Sequence, residues 1–165
     1  MTLEEYSNLV EKAFGIKNWN YSKKNNEDKT IFTINFSEDG REHTRCKVFV
    51  HKSGICDMEA AFPFTCPEDN RVELSYILAE YNFSKRYATL RLELSDGEII
   101  NSYSFDMFPA MTPEFVLGKF MGVKNIEKEI YATVVETCKP QYQEEKKSTG
   151  VSSLSDKKNK FKIDL

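Results

Sequence analysis

The stretch LAEYNFSKRYATLRLELSDGEI, residues 78–99, decides the fold. Leu78 and Tyr81 close an apolar stripe that starts at Leu74 and passes through Ile77, a three-and-four spacing that predicts a helix ending at NFSK. From Ala88 the period changes to two: Leu90, Leu92 and Leu94 alternate with Arg91 and Glu93, as in a half-buried strand. SDG then predicts a hairpin turn in which Gly97 is free to take a positive φ, and EIINSYSF returns as the next strand. Asn82 stands at the corner between helix and strand, where an amide caps carbonyls or tolerates a left-handed backbone.

Working upstream, Thr2 and Glu5 form a T-x-x-E capping box, and Leu3, Tyr6, Leu9, Val10, Ala13 and Phe14 then mark one face of a first helix, closed by Gly15. After the polar connection KKNNEDK, TIFTINF alternates, with Phe32, Ile34 and Phe36 on one face. SEDGRE turns the chain, CKVFV places Cys46, Val48 and Val50 inward, and a KSG turn leads to ICDMEAAF with Cys56, Met58, Ala60 and Phe62 on the same side. In this hairpin Val50 lies opposite Cys56 and Cys46 near Ala60. PFTCPEDN breaks the sheet, with Pro67 placed for a helix start. Downstream, TPEFVLGKFMGVKNIEKEIYATVVETC predicts a long helix capped by Thr112, with Pro113 at its first position. Val116, Phe120, Val123, Ile130 and Val134 form its apolar face, and Gly118 and Gly122 weaken it where it would cross the sheet closely. The order α-βββ-α-ββ-α is an α+β fold with a five-stranded antiparallel sheet and helices packed on one face. Residues 1–138 form the single domain. From 139 to 165 Gln, Glu, Lys, Ser and Asn replace the aromatics, the composition of a flexible tail.

Charge divides the chain in the same place. Residues 139–165 hold seven Lys and four acids, a local +3 that leaves −6 on residues 1–138 out of a total of −3. An acidic domain with a mildly basic tail argues against a nucleic-acid surface. No run approaches the roughly 20 apolar residues a membrane span needs, and MTLEEYSNLVEK has acids where a secretion signal has bases. The expected compartment is the cytoplasm.

Cys46, Cys56, Cys66 and Cys138, with His43 and His51, form no C-x-x-C or H-x-x-x-H pair, so free, partly buried thiols are expected and no metal site. Phosphate-loop, dinucleotide, nucleophile-elbow and zinc-protease motifs are absent. Asp57 and Glu59 share a strand face and His51 lies across the hairpin from them, a base and an orienter with no Ser or Cys clearly placed as nucleophile. Neither a catalytic residue nor a cofactor is assigned; an enzyme using His51 and nearby carboxylates is the third-ranked reading.

The helix ending in Asn82, the strand Leu90 to Leu94, the Asp96-Gly97 turn and the strand Ile99 to Phe105 resemble the bacterial YbjN domain family over about residues 2–138. The resemblance implies a fold like that of type III secretion chaperones, which are often dimers holding client segments against their surface. What the residues leave for function is a surface. Ile31, Phe49, Ile55, Ala61 and Ile100 have the parity of the sheet face turned away from the helices, where a cluster would mark an interface. In the tail, Phe161, Ile163 and Leu165 alternate with Lys162 and Asp164, so that residues 160–165 fit a docking strand on a partner or a second copy. The expected function is a small non-catalytic protein-binding module, chaperone-like or regulatory. The runner-up is a structural or dimeric scaffold subunit of a larger assembly.

Overall fold

The opening capping box forms as its residues dictate. In the computed structural model the Thr2 backbone N–H donates to Glu5 Oε2 at 2.6 Å and the Glu5 N–H to Thr2 Oγ1 at 3.2 Å. The structure describes residues 1–36, 44–85 and 89–139. Helix α1 (Leu3–Ile16) buries Tyr6, Leu9, Val10, Ala13 and Phe14. Six strands follow in one sheet: β1 (Tyr21–Asn25), β2 (Lys29–Phe36), β3 (Thr44–His51), β4 (Ile55–Thr65), then, after a 3-10 turn (Glu68–Asn70) and helix α2 (Arg71–Ser84), β5 (Thr89–Leu92) and β6 (Glu98–Asp106). Helix α3 (Pro113–Cys138) closes the chain of described elements, its first turn capped by Thr112 Oγ1 accepting from Phe115 N at 3.3 Å. The strand order is β1-β2-β3-β4-β6-β5, with every neighbouring pair antiparallel. The β3–β4 register sets Val50 opposite Cys56 and Cys46 opposite Ala60.

The sheet therefore has six strands, not five. The extra one, β1, reads YSKKN with all five side chains exposed, so no apolar period announces it. It forms because β2 offers a free edge, and its lysines blunt the new edge against further pairing. Strand β4 also runs on through Pro63. The register of β4 against β6 shifts between Ala61 and Thr65, and a proline is tolerated at such an irregularity because no ladder bond is required of it there. Strand β5 stops at Leu92: the Glu93 N–H donates to Glu98 O at 2.8 Å to close the hairpin, and Leu94 is left 60% exposed rather than inward.

The inward faces of the strands meet the helices in two buried clusters joined by α3. Its first half packs with α1 and β2–β4, through Phe14, Phe32, Val48, Met58 and Phe120. Its second half packs with α2, β5 and β6, through Leu74, Leu78, Leu90, Ile99 and Val134. All four cysteines are buried free thiols, and burial raises the pKa of Cys46 and Cys56. Burial and a hydrogen bond with Cys66 push Cys138 up to about 12.

Asn82 supplies the joint between α2 and β5. Its Nδ2 donates to Leu90 O at 2.7 Å and its Oδ1 accepts from Leu90 N at 2.9 Å, the pair of hydrogen bonds that a neighbouring strand would otherwise make. The Asn82→Ala variant is expected to lose about 2 kcal/mol, two ordinary hydrogen bonds removed without filling the gap. Urea unfolding checks this; a loss below about 0.5 kcal/mol would mean that water replaces the amide freely.

Candidate protein-binding surface

The five outward residues Ile31, Phe49, Ile55, Ala61 and Ile100 all lie on the sheet face away from the helices, and none is buried. The structure brings them together only in pairs. Ile31 is opposite Phe49, and Ala61 is opposite Ile100. Between the pairs runs a polar row, Lys47 opposite Glu59 and Glu59 opposite Ser102, with Glu59 held by Arg91 at 2.8 Å. Ile55 sits apart at the start of β4, opposite Asp106. Phe161, Ile163 and Leu165 lie outside the described residues, as does His43.

His51 and Asp57 meet on this face at 2.8 Å, as their hairpin positions predict, and Ser104 Oγ donates to the other Asp57 oxygen at 2.5 Å. The hydroxyl thus spends its proton on the carboxylate. A nucleophile–base pair needs it on the imidazole, so the cluster is a surface network of the carboxylate and not a nucleophilic triad. Glu59 faces Arg91 and takes no part in it.

Two apolar features stand out elsewhere. One is a groove of about 350 Å³ between α3 and β6, lined by Tyr103, Phe115, Gly118, Lys119, Gly122 and Val123. A Cβ at Gly118 or Gly122 would meet nothing within 4 Å, so these glycines open the groove and do not mark a close crossing of helix and sheet. Lys119 occupies its mouth: Nζ donates to the Tyr103 hydroxyl at 3.2 Å and lies 5.5 and 5.1 Å from the Tyr103 and Phe115 ring centroids.

The other feature is the outer face of α2. Leu74 and Leu78, with the half-buried Ile77 and Tyr81, anchor the inner face. On the opposite side Val72 is 66% exposed, Tyr76 74% and Phe83 95%, with Ala79 exposed between them. At 3.6 residues per turn these four fall within about 60° of one another, a second stripe roughly 16 Å long. Leu94, 60% exposed, lies near the N-terminal end of α2, its carbonyl oxygen accepting from Arg71 Nη1 at 2.7 Å. The stripe presents on the order of 500 Å² of apolar surface, within the range of functional patches on monomers. Glu73 and Glu80, both exposed and two turns apart, line one flank. Sequence reading misses this face because it stops at the first stripe that explains the helix; the signal is present in Val72, Tyr76 and Phe83, which that stripe leaves over.

No family model matches the sequence, and no curated protein is significantly similar to it. Solved structures do match. An uncharacterized protein from Methanothermobacter thermautotrophicus aligns with a TM-score of 0.59 at 9% identity, over 81% of this chain and 99% of its own. YbjN from E. coli, provisionally described as a transcription regulator, aligns with a TM-score of 0.51 at 13% identity, over 79% of this chain and 89% of its own. At these identities the likeness is one of fold: the chain has a YbjN-like fold. Among the described residues no helix is long and apolar enough to cross a membrane.

Proposed function

We propose that the chain is a small non-catalytic protein-binding module of the cytoplasm, chaperone-like or regulatory in role, whose working surface is the outer face of α2. One observation carries the reading: α2 is apolar on both sides, and only one side is packed against the domain. A second apolar stripe of this size, separated from the packed one by polar flanks, is the kind of exposed patch that marks an interface. Tyr76 and Phe83 are large and exposed, the profile of anchor residues that carry most of an interface's binding energy. Glu73 and Glu80 beside them favour an occupant that is apolar with basic flanks. The YbjN-like fold supports the same reading by analogy, through a neighbour described as a regulator and through the resemblance to chaperones that hold client segments.

The double variant Tyr76→Glu/Phe83→Glu tests it. Melting is expected to stay within about 2 °C of the parent, because both side chains already face water. In quantitative affinity purification, proteins retained by the parent should fall at least about tenfold with the variant, the loss of one to two anchor contacts. An unchanged set of retained proteins would overturn the reading. A parent that sediments as a stable dimer, made monomeric by the same variant, would favour the dimeric scaffold in its place.

A further inference from the structure

The N-terminal end of α2 lies against the C-terminal end of α3. Asn70 Nδ2, at the start of α2, donates to Thr137 O at 2.5 Å, and Cys66 and Cys138 share one buried cluster just behind that contact. Lys139, two residues beyond Thr137, therefore leaves α3 near the N-terminal end of α2. From that point residues 140–165 continue, among them the six-residue segment KFKIDL. The twenty residues from Pro140 to Asn159 have a random-coil reach of roughly 25 Å, longer than the roughly 16 Å stripe.

The chemistry of that segment is the complement of the stripe. Phe161, Ile163 and Leu165 fall on one side of an extended chain, and Lys160, Lys162 and Asp164 on the other. The segment's end of the chain is +3 and the rest is −6. On the helix, Glu73 and Glu80 flank the apolar row. A second copy of α2 fits less well: antiparallel self-pairing sets Glu73 against the copy's Glu80, two like charges at one seam. We infer that residues 160–165 dock in cis on the outer face of α2, with Phe161, Ile163 and Leu165 against Val72, Tyr76 and Phe83, and so compete with any partner for that face. The inference rests on the proposed binding role of α2 only for its consequence; the docking itself stands or falls separately. Tethering supplies the segment at an effective concentration of about a millimolar, so even a weak contact is populated in the isolated protein.

The test compares the full chain with the full-length triple variant Phe161→Asp/Ile163→Asp/Leu165→Asp by amide NMR at several protein concentrations. Expected are shift differences centred on Val72, Tyr76, Ala79 and Phe83, independent of concentration, with amide exchange of α2 several-fold faster in the variant. Raising salt should move the parent's α2 signals toward those of the variant. Superimposable α2 signals would overturn the inference, as would differences centred on Tyr103 and Phe115 in the α3–β6 groove. Differences that grow with concentration would mean docking on a second copy, which also overturns it. Loss of the docking signal with partner retention still abolished by Tyr76→Glu/Phe83→Glu would leave the binding role standing without the tail. Docking observed while that double variant retains every partner would remove the binding role alone.

Discussion

Phe14→Ala is expected to cost about 3–5 kcal/mol, the largest loss from any single truncation in the domain. Phe14 is fully buried on the inner face of α1, and four aromatic rings surround it. The centroids of Trp19, Tyr21, Phe32 and Phe120 lie 5.8, 5.3, 5.5 and 5.5 Å away, the Phe32 ring meeting it edge-on. These four belong to the loop after α1, to β1, to β2 and to α3, so one ring fastens the first helix to the sheet and to the long helix at once. Truncation leaves a void that rigid neighbours cannot close, and the cavity cost adds to the lost transfer energy. Of the roughly 5–15 kcal/mol that a domain of this size holds, such a loss removes about a fifth or more. Urea unfolding measures it, with the slope unchanged if the transition stays two-state. A loss below about 1 kcal/mol would mean that α1 is held by something other than this aromatic cluster.

The regular parts of the fold were legible because each residue that determines them acts locally. Thr2 with Glu5, and Thr112 with Pro113, announce their helices within one turn. Phe32, Ile34, Cys46, Val48, Val50, Cys56, Met58 and Ala60 alternate because one face of the sheet is wet and the other dry, and that alternation carries the register as well. What failed depends on neighbours. Strand β1 has no buried residue, only the Tyr21 ring resting on Phe14 and Phe32, and it pairs along the free edge of β2. Leu94 continues the period of Leu90 and Leu92 past the point where the hairpin closes, so composition promises burial that topology does not deliver. Leu92 is only half-buried for the same reason: β5 is the edge strand, not a central one.

The candidate surfaces were legible only in part. Parity placed Ile31, Phe49, Ile55, Ala61 and Ile100 on the outer sheet face, but parity along a strand says nothing of what stands across it. The row Lys47, Glu59 and Ser102 that divides them follows from register among three strands. The α2 stripe is the reverse case, readable from Val72, Tyr76 and Phe83 alone. A search for one apolar face per helix does not look for a second, although a second is what an unfilled interface looks like from the sequence.

Gly97→Ala is expected to cost about 3 kcal/mol, well beyond the usual effect at a hairpin turn. Part of the cost is conformational, since Gly97 has φ +80° and an L-residue pays about 1 kcal/mol or more to adopt it. The rest comes from where the turn sits. The Cys66 N–H donates to Gly97 O at 2.8 Å, and the Gly97 N–H donates to Glu93 O at the same distance. Arg71 clamps both sides, Nε on Cys66 O at 3.2 Å and Nη1 on Leu94 O at 2.7 Å. A Cβ on Gly97 would overlap the Cys66 carbonyl oxygen and stand 3.2 Å from Arg71 Nε. Backbone cannot yield there as a flexible side chain would, so the hairpin tip must lift away from the end of β4 and release the bond to Cys66. Gly118→Ala supplies the opposite sign. It lies inside α3 with nothing within 4 Å of the added methyl, and is expected to gain about 0.5–1 kcal/mol from helix propensity. Urea unfolding of the two variants side by side, with amide exchange of Cys66 as the local reporter, separates a strained contact from a general response to alanine. Equal stability of the Gly97→Ala protein and the parent, with Cys66 still protected, would show that the hairpin tip accommodates a side chain without leaving β4.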